Sequence, residues 1–152
     1  MDDIDNYDRK ILAELQADGR ITVTKLADRV GLSKTPCQIR MRKLEERGFI
    51  KGYAAIVDPV KLEAGHIAFV QVSLTDTRSA ALEAFNASVG KIQQIEQCHM
   101  IAGQFDYLLK VRSKDIAAYR KFLGETISEL PHVSHTSTFV VMQSVKETSA
   151  SR

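Results

Sequence analysis

Two cysteines, Cys37 and Cys98, are the only thiols in this 152-residue chain. They lie far apart, each inside an amphipathic pattern, so they suggest neither a disulfide framework nor a zinc knuckle. Both read as small buried hydrophobes. No run of eighteen apolar residues is present, which excludes a membrane-spanning helix of ordinary length. The start, Met1-Asp-Asp-Ile-Asp-Asn6, is acidic and lacks the basic and then apolar segments of a secretion signal; the expected location is the cytoplasm. His66, His99, His132 and His135 are scattered, and the spacing of the last two places them on opposite faces of a strand, so no metal site is expected. Nucleophile motifs, a phosphate loop and a dinucleotide fingerprint are all missing, which points away from an enzyme and from a resident cofactor.

Net charge is also small, at a formal +2, but its distribution is uneven. Arg20 to Lys51 carries nine basic side chains against three acidic ones, while the remainder carries 12 basic against 16 acidic. At 44% hydrophobic, the chain has material for one ordinary domain or two small ones. The basic segment coincides with a helix-turn-helix pattern. Thr22 caps a short helix with Leu26, Ala27 and Val30 inward, Gly31 closes it, and Ser33 caps a second helix running to about Arg47. Before them, Asp5 caps a helix in which Ile4, Tyr7, Ile11, Leu12 and Leu15 recur at spacings of three and four until Asp18-Gly19.

In the basic helix, Cys37, Met41 and Leu44 fall at intervals of four and three and form the inward face. Pro36 lies in the first turn, where its missing N–H costs nothing. The opposite face then presents Lys34, Thr35, Gln38, Ile39, Arg42 and Lys43. Gln38 suits a bidentate pair with adenine and Arg42 one with guanine. Thr35 and Ile39 suit a thymine methyl, and Lys34 and Lys43 suit phosphates. Arg40 and Arg47 are expected to flank the DNA backbone, and Ser33 and Pro36 to lie at the helix start beside it. The competing reading is a merely solvated basic face.

Beyond Gly48 the period changes. Phe49 to Val57 alternates and ends at Asp58-Pro59, the pattern of a wing and linker strand. A boundary near Glu63-Ala64-Gly65 divides the chain into 1–62 and 63–152. The second part alternates strand (67–74), helix (79–89), strand (94–102), strand (107–112), helix (from the Asp115 cap, with Ile116, Tyr119, Phe122, Leu123 and Ile127 inward) and a final strand (133–145). The order βαββαβ gives an α+β fold of the split-βαβ, ferredoxin-like type. Its helices cover one sheet face only, so a homodimer through the open face is expected.

Several stretches are more specific still: Asp8-Arg-Lys-Ile-Leu12, Val30-Gly-Leu-Ser33, Thr35-Pro-Cys37, Arg42-Lys-Leu-Glu45, Gly48-Phe-Ile-Lys-Gly-Tyr53, Glu96-Gln-Cys-His99, Gly103-Gln-Phe-Asp-Tyr-Leu-Leu-Lys110 and Leu130-Pro131. Through them the chain resembles, over nearly its whole length, the leucine-responsive/asparagine-regulator (Lrp/AsnC) family of transcription regulators, most of all the leucine-responsive branch. The resemblance implies an N-terminal winged helix-turn-helix joined by a strand to a C-terminal amino-acid-sensing domain, with dimers assembling further, often to octamers. It also implies that an amino-acid effector, such as leucine, another branched-chain residue or proline, modulates DNA affinity or assembly from between sensor domains.

In that family the effector lies near the turn corresponding to Gly103, Gln104, Phe105 and Asp106. Turn amides suit a carboxylate, Asp106 suits an ammonium, and Met100, Ile101, Phe139, Val140 and Val141 are candidates for an apolar wall. Gln104 stands where many relatives carry an acidic residue. The competing reading is a turn that merely joins two strands, with Asp106 capping it. Two rival functions remain: an enzyme like the sirohaem decarboxylases of similar architecture, and an amino-acid-sensing adaptor that binds no DNA.

Overall fold

The structure, a computed structural model, describes residues 4–147. The first half of the acidic Met1–Asn6 stretch and the last five residues of the 63–152 range lie outside the described residues. Within them the chain forms two compact units that divide between Ile56 and Val57.

The first unit is a bundle of three helices, α1 (Asn6–Ala17), α2 (Val23–Val30) and α3 (Lys34–Glu46). Asp5 and Asp8 cap α1 reciprocally: the Asp5 carboxylate accepts the Asp8 N–H, and the Asp8 carboxylate accepts the Asp5 N–H. The Thr22 hydroxyl accepts from the Lys25 N–H and opens α2. Gly31 ends α2 at φ 77°, a left-handed conformation that only glycine adopts without strain. Ile11, Leu26, Ala27, Val30, Cys37 and Leu44 form the buried core, with Met41 and Ile50 packed against it.

Three expectations for this unit are corrected. Tyr7 is exposed, because its ring lies under the Arg40 guanidinium instead of in the core. Ser33 occupies the cap position of α3 with extended backbone, but its side chain makes no cap bond. No strand forms over 49–57. Gly48, at φ 73°, turns the chain so that the Phe49 and Ile50 amides donate to the Leu44 carbonyl and close α3. Among the described residues nothing in this all-helical unit offers the segment a ladder partner.

The second unit contains β1 (His66–Leu74), α4 (Ser79–Val89), β2 (Ile95–Met100), β3 (Tyr107–Ser113), α5 (Ile116–Phe122) and β4 (Val133–Val140). A π-helical turn, Leu123–Ile127, continues α5. The sheet order is β2-β3-β1-β4, with every neighbouring pair antiparallel. This is the expected βαββαβ arrangement. Alternation along β1 places Ala68, Val70, Val72 and Leu74 in one core with Phe85, Val89, Tyr107, Leu109, Val111, Tyr119 and Ile127. The Asp115 carboxylate caps α5 by accepting the Ala118 N–H, and the Phe85 ring meets Tyr107 at 4.4 Å between centroids.

Here too the structure corrects details. β4 ends at Val140 instead of 145: after the Val141 N–H donates to Ile67 O, β1 has no further residues to pair. β2 is shorter than expected at both ends. Ile116 is exposed, being the first residue of α5 on its outer side, and Tyr119 and Ile127 supply the buried contacts.

Candidate nucleic-acid interface and effector turn

The core contacts of α3 decide which of its residues face outward. Cys37 and Leu44 are fully buried and Met41 partly so, while Lys34, Thr35, Pro36, Gln38, Ile39, Arg42 and Lys43 are exposed. The amphipathic division is clear over the 13 residues of the helix. Burial without a polar partner raises the Cys37 thiol above its ordinary range, consistent with an inert packing role. On the outer face Arg42 lies 3.7 Å from Glu46, one turn on, in a loose exposed ion pair that costs little to break. The Arg47 guanidinium stacks over Phe49 at 4.9 Å.

Arg40 departs from the others. Instead of projecting outward, it donates to Asp5 at 2.7 Å and to Asp8 at 2.8 Å, both on the N-terminal turn of α1. These bonds, the one to Asp8 foremost, hold its guanidinium more firmly protonated than usual. The Asp5 carboxylate falls below its ordinary range, first through the Asp8 N–H and then through Arg40. The expectation that Arg40 flanks a DNA backbone is therefore at odds with its place in the fold. A positional signal exists in the sequence: residue 40 lies three after Cys37 and four before Leu44, at the edge of the buried stripe. Arg29 similarly ties α2 to Glu14 of α1 at 2.7 Å.

The second candidate region is the turn between β2 and β3. Residues 102–106 bend without regular structure, and the Ile101 N–H donating to Asp106 O closes the loop. Among the described residues the amides of Gly103, Gln104 and Phe105 make no backbone hydrogen bond. The Asp106 side chain holds two strands in place. Its Oδ2 accepts the Leu74 N–H at 2.7 Å, where a register shift between Ser73 and Leu74 interrupts the β1–β4 ladder. Its own N–H donates to Val72 O. No local pattern announces this, because it joins residues thirty-two positions apart.

The expected apolar wall is divided. Met100 and Ile101 adjoin the turn on the β2 side, whereas Phe139 and Val140 lie on β4, at the other edge of the sheet. Three strand spacings, about 14 Å, separate the edges. Within one chain these side chains therefore do not meet, and Met100, Phe139 and Val140 are all exposed. Val141 instead lines a cavity of about 260 Å³ with Val60, Ile67, Arg112 and Met142.

Residues 4–51 match the winged helix-turn-helix DNA-binding family, and residues 67–151 match the Lrp/AsnC ligand binding domain. The chain belongs to the Lrp/AsnC family. It is a transcription regulator with a DNA-binding domain and a separate ligand-binding domain. This Lrp/AsnC regulator is 61% identical over 147 residues to a proline dehydrogenase transcriptional activator of Rhizobium radiobacter, covering 97% of this chain and 94% of the relative. It is 50% identical over 145 residues to the leucine-responsive regulatory protein of Escherichia coli strain K12, covering 95% and 88%. A solved transcriptional regulator of Neisseria meningitidis in complex with L-methionine superposes with a TM-score of 0.91 at 34% identity, covering 99% and 97%.

These relatives are named as transcriptional regulators, not as enzymes. Among the described residues no helix is long and apolar enough to cross a membrane, and no three His, Cys, Asp or Glu side chains cluster as metal ligands.

Proposed function

We propose that this Lrp/AsnC regulator is a cytoplasmic, non-enzymatic homo-oligomer that controls a gene of amino-acid catabolism, with proline the first effector to consider and leucine the second. The observation that carries the DNA half is the division of α3 into a buried Cys37–Leu44 face and an exposed basic one. On that face Gln38 and Arg42 are the proposed base readers, Thr35 and Ile39 the methyl contacts, and Lys34, Lys43 and Arg47 the phosphate contacts. The Ser33 hydroxyl, spent on no cap, and the amides beside Pro36 suit a phosphate at the helix N-terminus. Paired α3 helices from two copies would enter successive major grooves.

The identity to a proline dehydrogenase activator supports proline ahead of leucine. The proposed effector seat is the turn Gly103, Gln104, Phe105 and Asp106 with Met100 and Ile101. Because Phe139 and Val140 lie at the far edge, they would reach a ligand only from a second copy, which makes assembly and effector binding one equilibrium. Gln104 adds no charge there and leaves Asp106 as the carboxylate for a ligand ammonium.

Thermal shift against the twenty amino acids tests the effector, since a ligand bound only by the folded state raises its stability. Asp106→Asn sharpens it: the amide oxygen still accepts the Leu74 N–H, so the fold is kept while the charge is lost. The expected outcome is a melting temperature that no longer responds to proline or leucine, with duplex affinity in the absence of ligand unchanged. Normal ligand uptake by Asp106→Asn in calorimetry would remove Asp106 from the seat.

A further inference from the structure

Each carboxylate of the α1 capping box divides its two oxygens between two partners. Asp5 uses Oδ1 for the Asp8 N–H and Oδ2 for the Arg40 guanidinium; Asp8 uses Oδ2 for the Asp5 N–H and Oδ1 for the same guanidinium. Both bonds to Arg40 arrive at one nitrogen, Nη1, and the Arg40 guanidinium rests over the Tyr7 ring at 5.5 Å. The Asp8 side chain is only 12% exposed, and that of Arg40 30%. A carboxylate so enclosed is stable only while hydrogen-bonded and paired. The interlock therefore fixes the start of α1 to the middle of α3, between Ile39 and Met41, and along its edge runs a cleft of about 350 Å³ lined by Asp8, Pro36, Ile39, Arg40, Lys43, Leu44 and Arg47.

We propose that Arg40 is a positioning residue for DNA recognition, which acts through Asp5 and Asp8 to set the angle of α3 and makes no phosphate contact of its own. The proposal rests on α3 being the reading helix. Its neighbours Ile39 and Lys43 stand on the outward face, so a rotation of α3 about its axis displaces every base-reading side chain together. Without Arg40, α3 keeps its apolar contacts through Cys37, Met41 and Leu44 but loses its ion pairs to the start of α1, which oppose sliding and rotation because packing of apolar groups is not directional. The carboxylates make the proposal separable from ordinary electrostatics. Asp8 is an anion beside a helix that must approach phosphates, and its removal by charge alone strengthens DNA binding.

The test measures, by fluorescence anisotropy over a range of salt concentrations, the affinity of the full-length protein and its variants for two duplexes. One is a duplex selected from a random library by the wild-type protein, and the other is a scrambled control. Wild-type binding with a steep salt dependence establishes phosphate-mediated DNA binding; a flat one defeats the reading of α3 as a DNA-binding helix and, with it, the role given to Arg40. Given the steep dependence, Arg40→Gln and Asp8→Asn are each expected to weaken the selected duplex about fivefold, equivalent to ~1 kcal/mol, with the scrambled duplex changed far less. The salt slope should stay that of the wild type. The double variant should be no weaker than Arg40→Gln alone, since both substitutions open one interlock.

A phosphate-contacting Arg40 gives a different result: the slope falls by about 0.9 per copy and Asp8→Asn tightens binding. That result overturns the proposal, as does an unchanged ratio between the two duplexes in both variants. Circular dichroism at the assay temperature checks that each variant is folded. Should Arg40→Gln unfold, Asp8→Asn decides instead. It leaves the cation in place, so a loss of discrimination at the wild-type slope supports the proposal, and unchanged or tighter binding overturns it.

Discussion

Raising the salt from about 50 to about 200 mM is expected to weaken duplex binding by about 10³- to 10⁵-fold, the range for a protein that neutralises roughly six to ten phosphates. The expectation follows from where the charge lies. A formal net charge of +2 on the whole chain predicts little, but Arg20 to Lys51 carries nine basic side chains against three acidic ones. Of these, Lys34, Arg42 and Lys43 stand exposed on one face of α3, and two copies of the chain double the set. Arg29 and Arg40 subtract from it, since their guanidinium groups bind Glu14, Asp5 and Asp8 within the bundle. Lys43→Ala, at the middle of that face, is expected to lower the slope of log affinity against log salt by about 0.9 per bound copy. Anisotropy with a labelled duplex reads both quantities. A nearly flat salt dependence would favour an adaptor that works through protein partners.

The second large effect belongs to the sensor unit. Phe85→Ala is expected to destabilise it by about 3–5 kcal/mol, the range for a large aromatic removed from a core that cannot collapse around the gap. Phe85 is wholly buried and stacks at a tilt on Tyr107, and in the same core lie Val70, Val72 and Leu109, themselves fixed in the central strands β1 and β3. Those strands are held on both sides by their ladders, so the void persists. Urea denaturation followed by circular dichroism measures the loss, and an effector present in excess should recover part of it by mass action. A change below about 1 kcal/mol would show the sheet and α4 to be loosely packed, contrary to the enclosure of Phe85.

Much of this is legible in the sequence because it rests on local rules. Helical spacing of Cys37, Met41 and Leu44, the left-handed Gly31 and the caps Asp5, Thr22 and Asp115 each depend on a few adjacent residues, and each appears in its place. The βαββαβ order follows from the same local periodicities. What the sequence conceals is long-range. Nothing local shows that Phe49 and Ile50 turn back to cap α3 at Leu44 instead of starting a strand, since an alternating apolar run serves either purpose. Nor does it show that Asp106 is drawn to the Leu74 amide at a ladder irregularity.

The candidate sites divide along the same line. The outward residues of α3 are identifiable from one helix and its period. The charge of Arg40 alone points to the DNA backbone; its angular position, a three-residue step from Cys37, sets it beside the core, where Asp5 and Asp8 bind it. The effector seat is harder, because strand order decides which side chains meet. Met100 and Phe139 are both exposed and apolar, yet β3 and β1 stand between their strands. Strand order sets them at opposite edges of the sheet, a separation that the periodicity of neither strand reveals.

The outward face of α3 as the reader of base sequence is the claim on which the rest depends, and Arg42→Ala tests it most directly. Competition mobility shifts, with the selected duplex substituted one base pair at a time, measure the preference of wild type and variant at every position. Arg42→Ala is expected to lose about 1–3 kcal/mol of specific affinity and to become indifferent at one guanine while keeping its preferences elsewhere. A variant with the wild-type preference at every position would contradict it.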